Sequence, residues 1–166
     1  MAKVQANTTI GSEKVISKQV EKLCRSIIKG HVERFDGDTL QQIAVHFSKN
    51  KSKRTEVGWG RNKQGKGDAF TFFRADWRYA MISSPLSHLG KHTPLLPLPQ
   101  TTLSKVYVNY LEFLRPRGKH PEPPFMHAFI LGDFDLVPFQ TQLQIEEHIQ
   151  FKEIMNDSMG NHLNQH

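Results

Sequence analysis

The chain has 166 residues, 37% of them hydrophobic, which is enough apolar material for one folded domain. Its single cysteine, Cys24, excludes an internal disulfide and a cysteine-rich zinc module. Lys and Arg number 22 against 16 Asp and Glu, and this net charge of +6 favours a polyanionic partner.

The N-terminal segment lacks a hydrophobic leader, and no apolar run is long enough to cross a membrane. The sequence therefore predicts a cytoplasmic protein without membrane contact. We expect a flexible N-terminus at residues 1–11, a single domain at 12–155 and a flexible tail at 156–166.

Helical periodicity predicts a first helix from Glu13 to Lys29. Its apolar stripe is expected to be buried, and the opposite face should present a cationic ridge to solvent. The stripe consists of Ile16, Val20, Leu23 and Ile27, and the ridge of Lys14, Lys18, Lys22, Arg25 and Lys29. A second helix is predicted from Thr39, with Asp38 as its cap and Leu40 and Phe47 on its apolar face.

The charge excess is concentrated in a glycine-containing segment, residues 48–67, which we call the basic loop. Glu56 is its one acid, so the segment carries a large excess of positive charge. We therefore expect it to stay solvated and to bind an anionic polymer. Trp59 lies between its charge clusters and is a candidate for stacking on bases, or else an anchor for the loop. The cations are Lys49, Lys51, Lys53, Arg54, Arg61, Lys63 and Lys66.

An aromatic strand is predicted to start after Asp68, with Arg74 and Arg78 as further cations beside it. The eight residues 66–73, KGDAFTFF, resemble the octamer signature of RNA-recognition-motif domains, although Asp68 replaces an aromatic residue and Thr71 an aliphatic one. The resemblance implies that exposed Phe side chains stack on bases. From composition and pattern alone, we expect most of these Phe side chains to lie in the hydrophobic core.

The second half is predicted to contain a proline-rich crossover at 84–100, strands at 103–114, 125–131 and 136–145, and a helix at 146–155. A second basic loop follows the first of these strands and contains Arg115, Arg117 and Lys119. The expected fold is α+β, with N-terminal helices packed on a mostly antiparallel sheet of about four strands and a C-terminal helix.

These patterns predict a nucleic-acid-binding accessory or regulatory protein, with DNA ahead of RNA, that binds mainly through phosphate contacts. Neither a cofactor nor a metal is implied. The prediction requires cations that are far apart in sequence to form one surface.

Two alternatives remain open at this stage. The first is a metal-dependent nuclease that uses His127, Asp133 and Asp135. The second is a protein-interaction or inhibitor protein whose basic loop docks an acidic partner. A homodimer is compatible with all of these functions.

Overall fold

Parallel strands connected through helices build this fold. The computed structural model describes residues 6–88, 92–99, 101–123 and 125–154. The helices in these ranges are α1 (Lys18–Ile28), α2 (Leu40–Lys49), α3 (Trp77–His88), α4 (Lys105–Leu114) and α5 (Phe139–Ile149). The strands are β1 (Ala6–Ile10), β2 (His31–Phe35), β3 (Ala69–Arg74), β4 (Leu95–Leu98), β5 (Arg117–Gly118), β6 (His127–Leu131) and β7 (Lys152–Glu153).

All paired strands in the described ranges are parallel, so the α+β class fits but the expected antiparallel sheet is wrong. β1 pairs with β2, β5 pairs with β7, and a three-stranded sheet has the order β4-β3-β6. A parallel pair requires a crossover, and here helices provide it. The N-terminal helices therefore alternate with strands instead of preceding them.

The first unit of the fold is β1–α1–β2. The sequence assigned residues 6–10 to a flexible N-terminus, whereas they form β1 and pair with β2 from Ala6–His31 to Ile10–Phe35. Ser17 caps α1 by accepting a hydrogen bond from the amide of Val20. Residues 156–166 lie outside the described part of the chain.

The apolar stripe of α1 is exposed, contrary to the expectation that it is buried. Val20, Leu23 and Ile27 are 47%, 59% and 69% exposed, and α1 contains no buried residue. The helix instead contacts β1 and β2 through a neighbouring side that holds Glu21. Glu21 bonds Arg34 of β2 at 2.7 Å, and this ion pair is largely shielded from solvent. The same side of α1 carries Cys24 and Ile28, which are partly buried, so the helix packs through this side and not through the predicted stripe.

α4 occupies residues 105–114, within the segment 103–114 where a strand was expected. Val106, Val108 and Tyr110 alternate as in a strand, but the buried side chains follow helical spacing. They are Tyr107, Tyr110, Leu111 and Leu114, all within the main core. Ser104 caps the helix through the amide of Tyr107.

The predictions for the strand at 136–145 and for the helix at 146–155 are also wrong in position. α5 covers Phe139–Ile149 and buries Thr141 and Ile145, which are four residues apart. The segment 84–100 is only partly a crossover, because α3 continues through Pro85 and β4 begins at Leu95. By contrast, β3 and β6 confirm the strands expected after Asp68 and at 125–131.

The core lies where α4 and α5 cover the three-stranded sheet. Phe70 and Phe72 of β3 are fully buried and meet Tyr110 and Tyr107 edge to face. Tyr107 also donates its hydroxyl to the carbonyl of Pro97 in β4 at 2.8 Å. Burial raises the pKa values of Tyr107 and Tyr110 far above the ordinary value for tyrosine.

Candidate nucleic-acid interface

The end of the basic loop is fixed against the C-terminus of α4. The amides of Gly65 and Gly67 donate to the carbonyls of Phe113 and Leu114, at 3.1 and 2.8 Å. These carbonyls belong to the last turn of a helix, where no amide of the helix itself can reach them. Both glycines have positive φ, 68° and 62°, which side chains rarely allow. Lys66 stands between them and is exposed.

The second basic loop begins where α4 ends and is fixed by Glu112. Glu112 lies 2.7 Å from the guanidinium of Arg115 and 3.2 Å from that of Arg117. Arg115 also donates to the carbonyl of Gln150 at the end of α5. Burial alone would raise the pKa of Glu112, but hydrogen bonds from His148 and Arg115 outweigh it and lower the pKa.

A short parallel ladder holds this loop beside the chain that follows α5. The amide of Lys152 donates to the carbonyl of Pro116 at 3.0 Å, and the amide of Ile154 donates to that of Gly118 at 2.7 Å. These bonds fix Phe151, which directly precedes β7.

The two basic segments meet around a cavity of about 310 Å³, which we call the cationic cavity. Its walls combine positive charge, one acid and an aromatic ring. The side chains that matter are Lys66, Arg117, Lys119, His120, Glu122 and Phe151. Residues about 50 positions apart in sequence are thus brought to one recess, as the sequence-based hypothesis requires for two of its three basic segments.

Several of the predicted binding cations form no ion pair. In the described ranges, no ion pair involves Lys66 or Lys119. The same holds for Lys51, Lys53, Arg54 and Lys63 of the basic loop, all of which are exposed. A cation without a carboxylate neighbour retains its full charge for an external anion. Lys49 lies over the ring of Phe113, with 4.9 Å between its ammonium and the ring centroid.

The basic loop is an ordered turn rather than a loose segment. A bridge joins Lys51 to Gly58, and the hydroxyl of Ser52 accepts from the amides of Arg54 and Thr55. The exposed cations Lys53 and Arg54 therefore stand at the tip of a hairpin-like turn.

The cationic ridge of α1 belongs to a different part of the fold. α1 packs on β1 and β2, and three of its nominated cations have carboxylate neighbours. Lys14 lies 3.9 Å from Asp38, Lys18 lies 3.1 Å from Glu13, and Arg25 lies 3.2 Å from Glu21. Lys22 is exposed and has no ion pair among the described residues.

Trp59 and Arg61 anchor the basic loop. Trp59 is half-buried, its amide donates to the carbonyl of Phe47, and the guanidinium of Arg61 lies 5.9 Å from its ring centroid. Arg61 also forms an ion pair with Asp68 at 3.3 Å. Its backbone carbonyl accepts a hydrogen bond from the hydroxyl of Tyr110. Of the two roles expected for Trp59, these contacts describe the anchor.

The cations beside the aromatic strand lie at the other end of β3 from Lys66. Arg74 ends this strand, and Arg78 follows it in α3, paired with Asp76 at 2.9 Å. That pairing lowers the pKa of Asp76 to about 2, mainly through the hydrogen bond from Arg78. Phe70 and Phe72 are fully buried, so they cannot stack on bases as the octamer resemblance implied.

The residues nominated for metal-dependent cleavage do not meet. His127 begins β6, and Asp133 follows its end, so at about 3.3 Å per residue the strand alone separates them by roughly 13 Å. Asp133 instead accepts hydrogen bonds from the amides of Asp135 and Leu136, which stabilise the turn before α5. The described residues contain no group of acidic, His or Cys side chains able to hold a metal ion.

Four residues of this region were absent from the sequence-based site. Glu112 belongs to α4, His120 and Glu122 lie close together in the second basic loop, and Phe151 follows α5. The parallel pairing of β5 with β7 brings Phe151 to the cavity. The cluster RPRGKH around Arg117 signalled His120 by its proximity. No local pattern signalled Phe151.

Comparisons with known proteins give a fold but no family. No protein-family model matches the chain, and no curated protein matches it in sequence. A solved structure of Cwp8 from Clostridium difficile is similar, with a TM-score of 0.56 and 12% identity over 93% of this chain. The match spans 22% of the Cwp8 chain, and at this identity it shows the fold alone. None of the helices in the described ranges has the length and apolarity needed to cross a membrane.

Proposed function

We propose that this protein binds a phosphodiester-linked polyanion, with nucleic acid as the ligand and DNA ahead of RNA. The cationic cavity is the primary contact, and the exposed cations of the basic loop extend it. Binding of this kind would suit an accessory or regulatory protein of the cytoplasm.

The observation that carries the proposal is the shared position of Lys66 and Lys119. Both are exposed, neither has an ion pair among the described residues, and both line one cavity with Arg117 and His120. The one acid in the lining of the cavity, Glu122, forms no ion pair with either lysine among the described residues. Like charges repel, so two lysines left without a paired carboxylate in one recess are suited to an external anion. Arg117 is held by Glu112 and can offer its remaining donors in a fixed direction.

A salt series tests this proposal directly. We expect the affinity for a DNA oligonucleotide to fall steeply between about 50 and 200 mM salt, because bound lysines release counterions from the phosphates. An RNA oligonucleotide and inorganic polyphosphate, measured in parallel, separate nucleic acid from any chain of phosphates. An affinity for DNA that does not change with salt contradicts the proposal.

A second candidate function is docking of an acidic protein. The exposed apolar stripe of α1 favours it, because Val20, Leu23 and Ile27 offer the kind of surface that protein partners bury. Polyglutamate tests the charge component of this function. If polyglutamate binds as tightly as DNA at equal charge, the phosphate-specific proposal is wrong and the protein-docking function is favoured.

A further inference from the structure

We infer that the cationic cavity accepts one unpaired nucleotide, so that the protein prefers single-stranded nucleic acid to duplex. This inference rests on the proposed function and narrows its ligand. The inference is based on the position of Lys66 and Lys119 beside the ring of Phe151 in one recess.

The size of the recess limits what can enter it. A volume of about 310 Å³ lies at the lower end of the range for sites that enclose a small molecule. A recess of this size suits a single nucleotide unit and excludes the body of a duplex. The phosphates of a duplex can touch its rim, but paired bases cannot reach its walls while they remain stacked.

The walls provide both parts of single-strand recognition. Proteins that bind single strands combine a cationic groove for the backbone with aromatic rings on which bases stack. Lys66, Lys119 and Arg117 supply the charge, while Phe151 and His120 supply rings. Arg117 adds a planar guanidinium, which also stacks on bases.

The ring of Phe151 is fixed and partly uncovered. The chain after it is tied to the second basic loop through the amides of Lys152 and Ile154, and the carbonyl of Gln150 before it accepts a hydrogen bond from Arg115. Gly118 faces the ring, and a Cβ at this position would lie 3.6 Å from Cζ of Phe151. Gly118 therefore packs against the ring without a side chain, while Phe151 as a whole stays partly exposed and lines the cavity. A ring held in place by the chain around it loses little conformational freedom when a base binds.

Three probes of equal phosphate number separate charge from stacking. They are an oligothymidylate, an abasic oligomer of the same length and a hairpin duplex, each measured by fluorescence anisotropy at about 50 and about 200 mM salt. We expect the oligothymidylate to bind about tenfold more tightly than the abasic oligomer, because stacking on an aromatic ring is lost without bases. The duplex should bind no more tightly than the abasic oligomer.

Phe151→Leu should abolish this tenfold difference and leave the abasic affinity unchanged. Gly118→Val is the second variant, because it adds a branched side chain beside the ring without removing a backbone hydrogen bond, and it should have the same effect. Phe139→Leu is the matched control, since Phe139 is 60% exposed at the start of α5 and does not line the cavity. Circular dichroism of each variant verifies that it is folded.

The outcomes separate the inference from the function on which it rests. Salt-dependent binding with equal affinity for thymidylate and abasic oligomers, or equal affinity for duplex, overturns the inference and leaves the proposed function intact. An unchanged difference in both folded cavity variants also overturns it. Failure of all three probes to bind in a salt-dependent manner overturns the proposed function itself.

Discussion

Oε1 of Glu112 lies 3.0 Å from Nδ1 of His148, so the side chains of α4 and α5 meet directly behind the second basic loop. The same carboxylate pairs with Arg115 and Arg117. One half-buried acid thus orients two arginines and joins two helices. Its removal should lower the stability of the protein and free Arg117, which lines the cavity.

Glu112→Gln should lower the free energy of unfolding at pH 7 by about 1–2 kcal/mol, because hydrogen bonds to charged partners are lost. The pKa of Glu112 is lowered in the folded protein. Its contribution to the free energy of unfolding is therefore fully present above the unfolded pKa of about 4.3 and is lost as pH falls through the lower folded pKa. The difference between the variant and the wild type should therefore shrink below about pH 4. Urea unfolding across pH measures this, with Glu147→Gln as control because Glu147 is exposed and has no ion pair in the described ranges. An equal loss in both variants contradicts the assignment.

Lys66→Ala and Lys119→Ala should each reduce the slope of log affinity against log salt by about one, since each removes one phosphate contact. Lys14→Ala is the matched control, because Lys14 is paired with Asp38 away from the cavity. Anisotropy titrations with DNA at several salt concentrations give the slopes. If Lys14→Ala changes the slope as much as the cavity variants do, the cavity is not the main contact.

Leu23→Ala should change the free energy of unfolding by less than about 0.5 kcal/mol, because Leu23 is 59% exposed. Leu111→Ala should cost about 2–5 kcal/mol, because Leu111 is fully buried in the main core. Thermal or urea unfolding of the two variants compares them directly. A large loss for Leu23→Ala in dilute protein would show that the stripe of α1 is covered by another part of the chain.

Gly58→Ala should destabilise the protein by about 2–4 kcal/mol, because its φ of 98° is strained for any side chain and its Cβ would lie 2.2 Å from the carbonyl oxygen of Asn50. Gly118→Ala is the control, since a Cβ there meets only ordinary contacts. Denaturation curves distinguish the two. Equal stability of both variants would mean that the basic loop is not held against α2 as described.

Local sequence signals found some elements and misassigned others for a physical reason. Periodicity predicted a helix in the regions of α1 and α2, but the predicted starts were wrong: α1 begins at Lys18 instead of Glu13, and Thr39 instead of Asp38 caps α2. In α4, alternating Val106, Val108 and Tyr110 imitated a strand, although the burial of Tyr107 and Leu111 follows helical spacing. Both periods are present in that segment, and only tertiary packing decides between them.

The candidate site was partly predictable for a similar reason. Charge density is a local property, so the clusters containing Lys66 and Arg117 were visible in sequence. Their convergence depends on parallel pairing and on Gly65 and Gly67 closing over α4, neither of which a local pattern encodes. Likewise, the ion pair between Glu21 of α1 and Arg34 of β2 joins two elements, and no local pattern indicated which side of α1 would face the strands.

Pro97 lies in β4, an edge strand of the three-stranded sheet, and blocks further strand pairing at this position. Its carbonyl is directed away from β3, where the hydroxyl of Tyr107 occupies it, and proline has no amide to donate on that side. An approaching extended peptide would find neither a donor nor a free acceptor at this position of β4. The protein should accordingly resist edge-to-edge polymerisation along that strand even at high concentration.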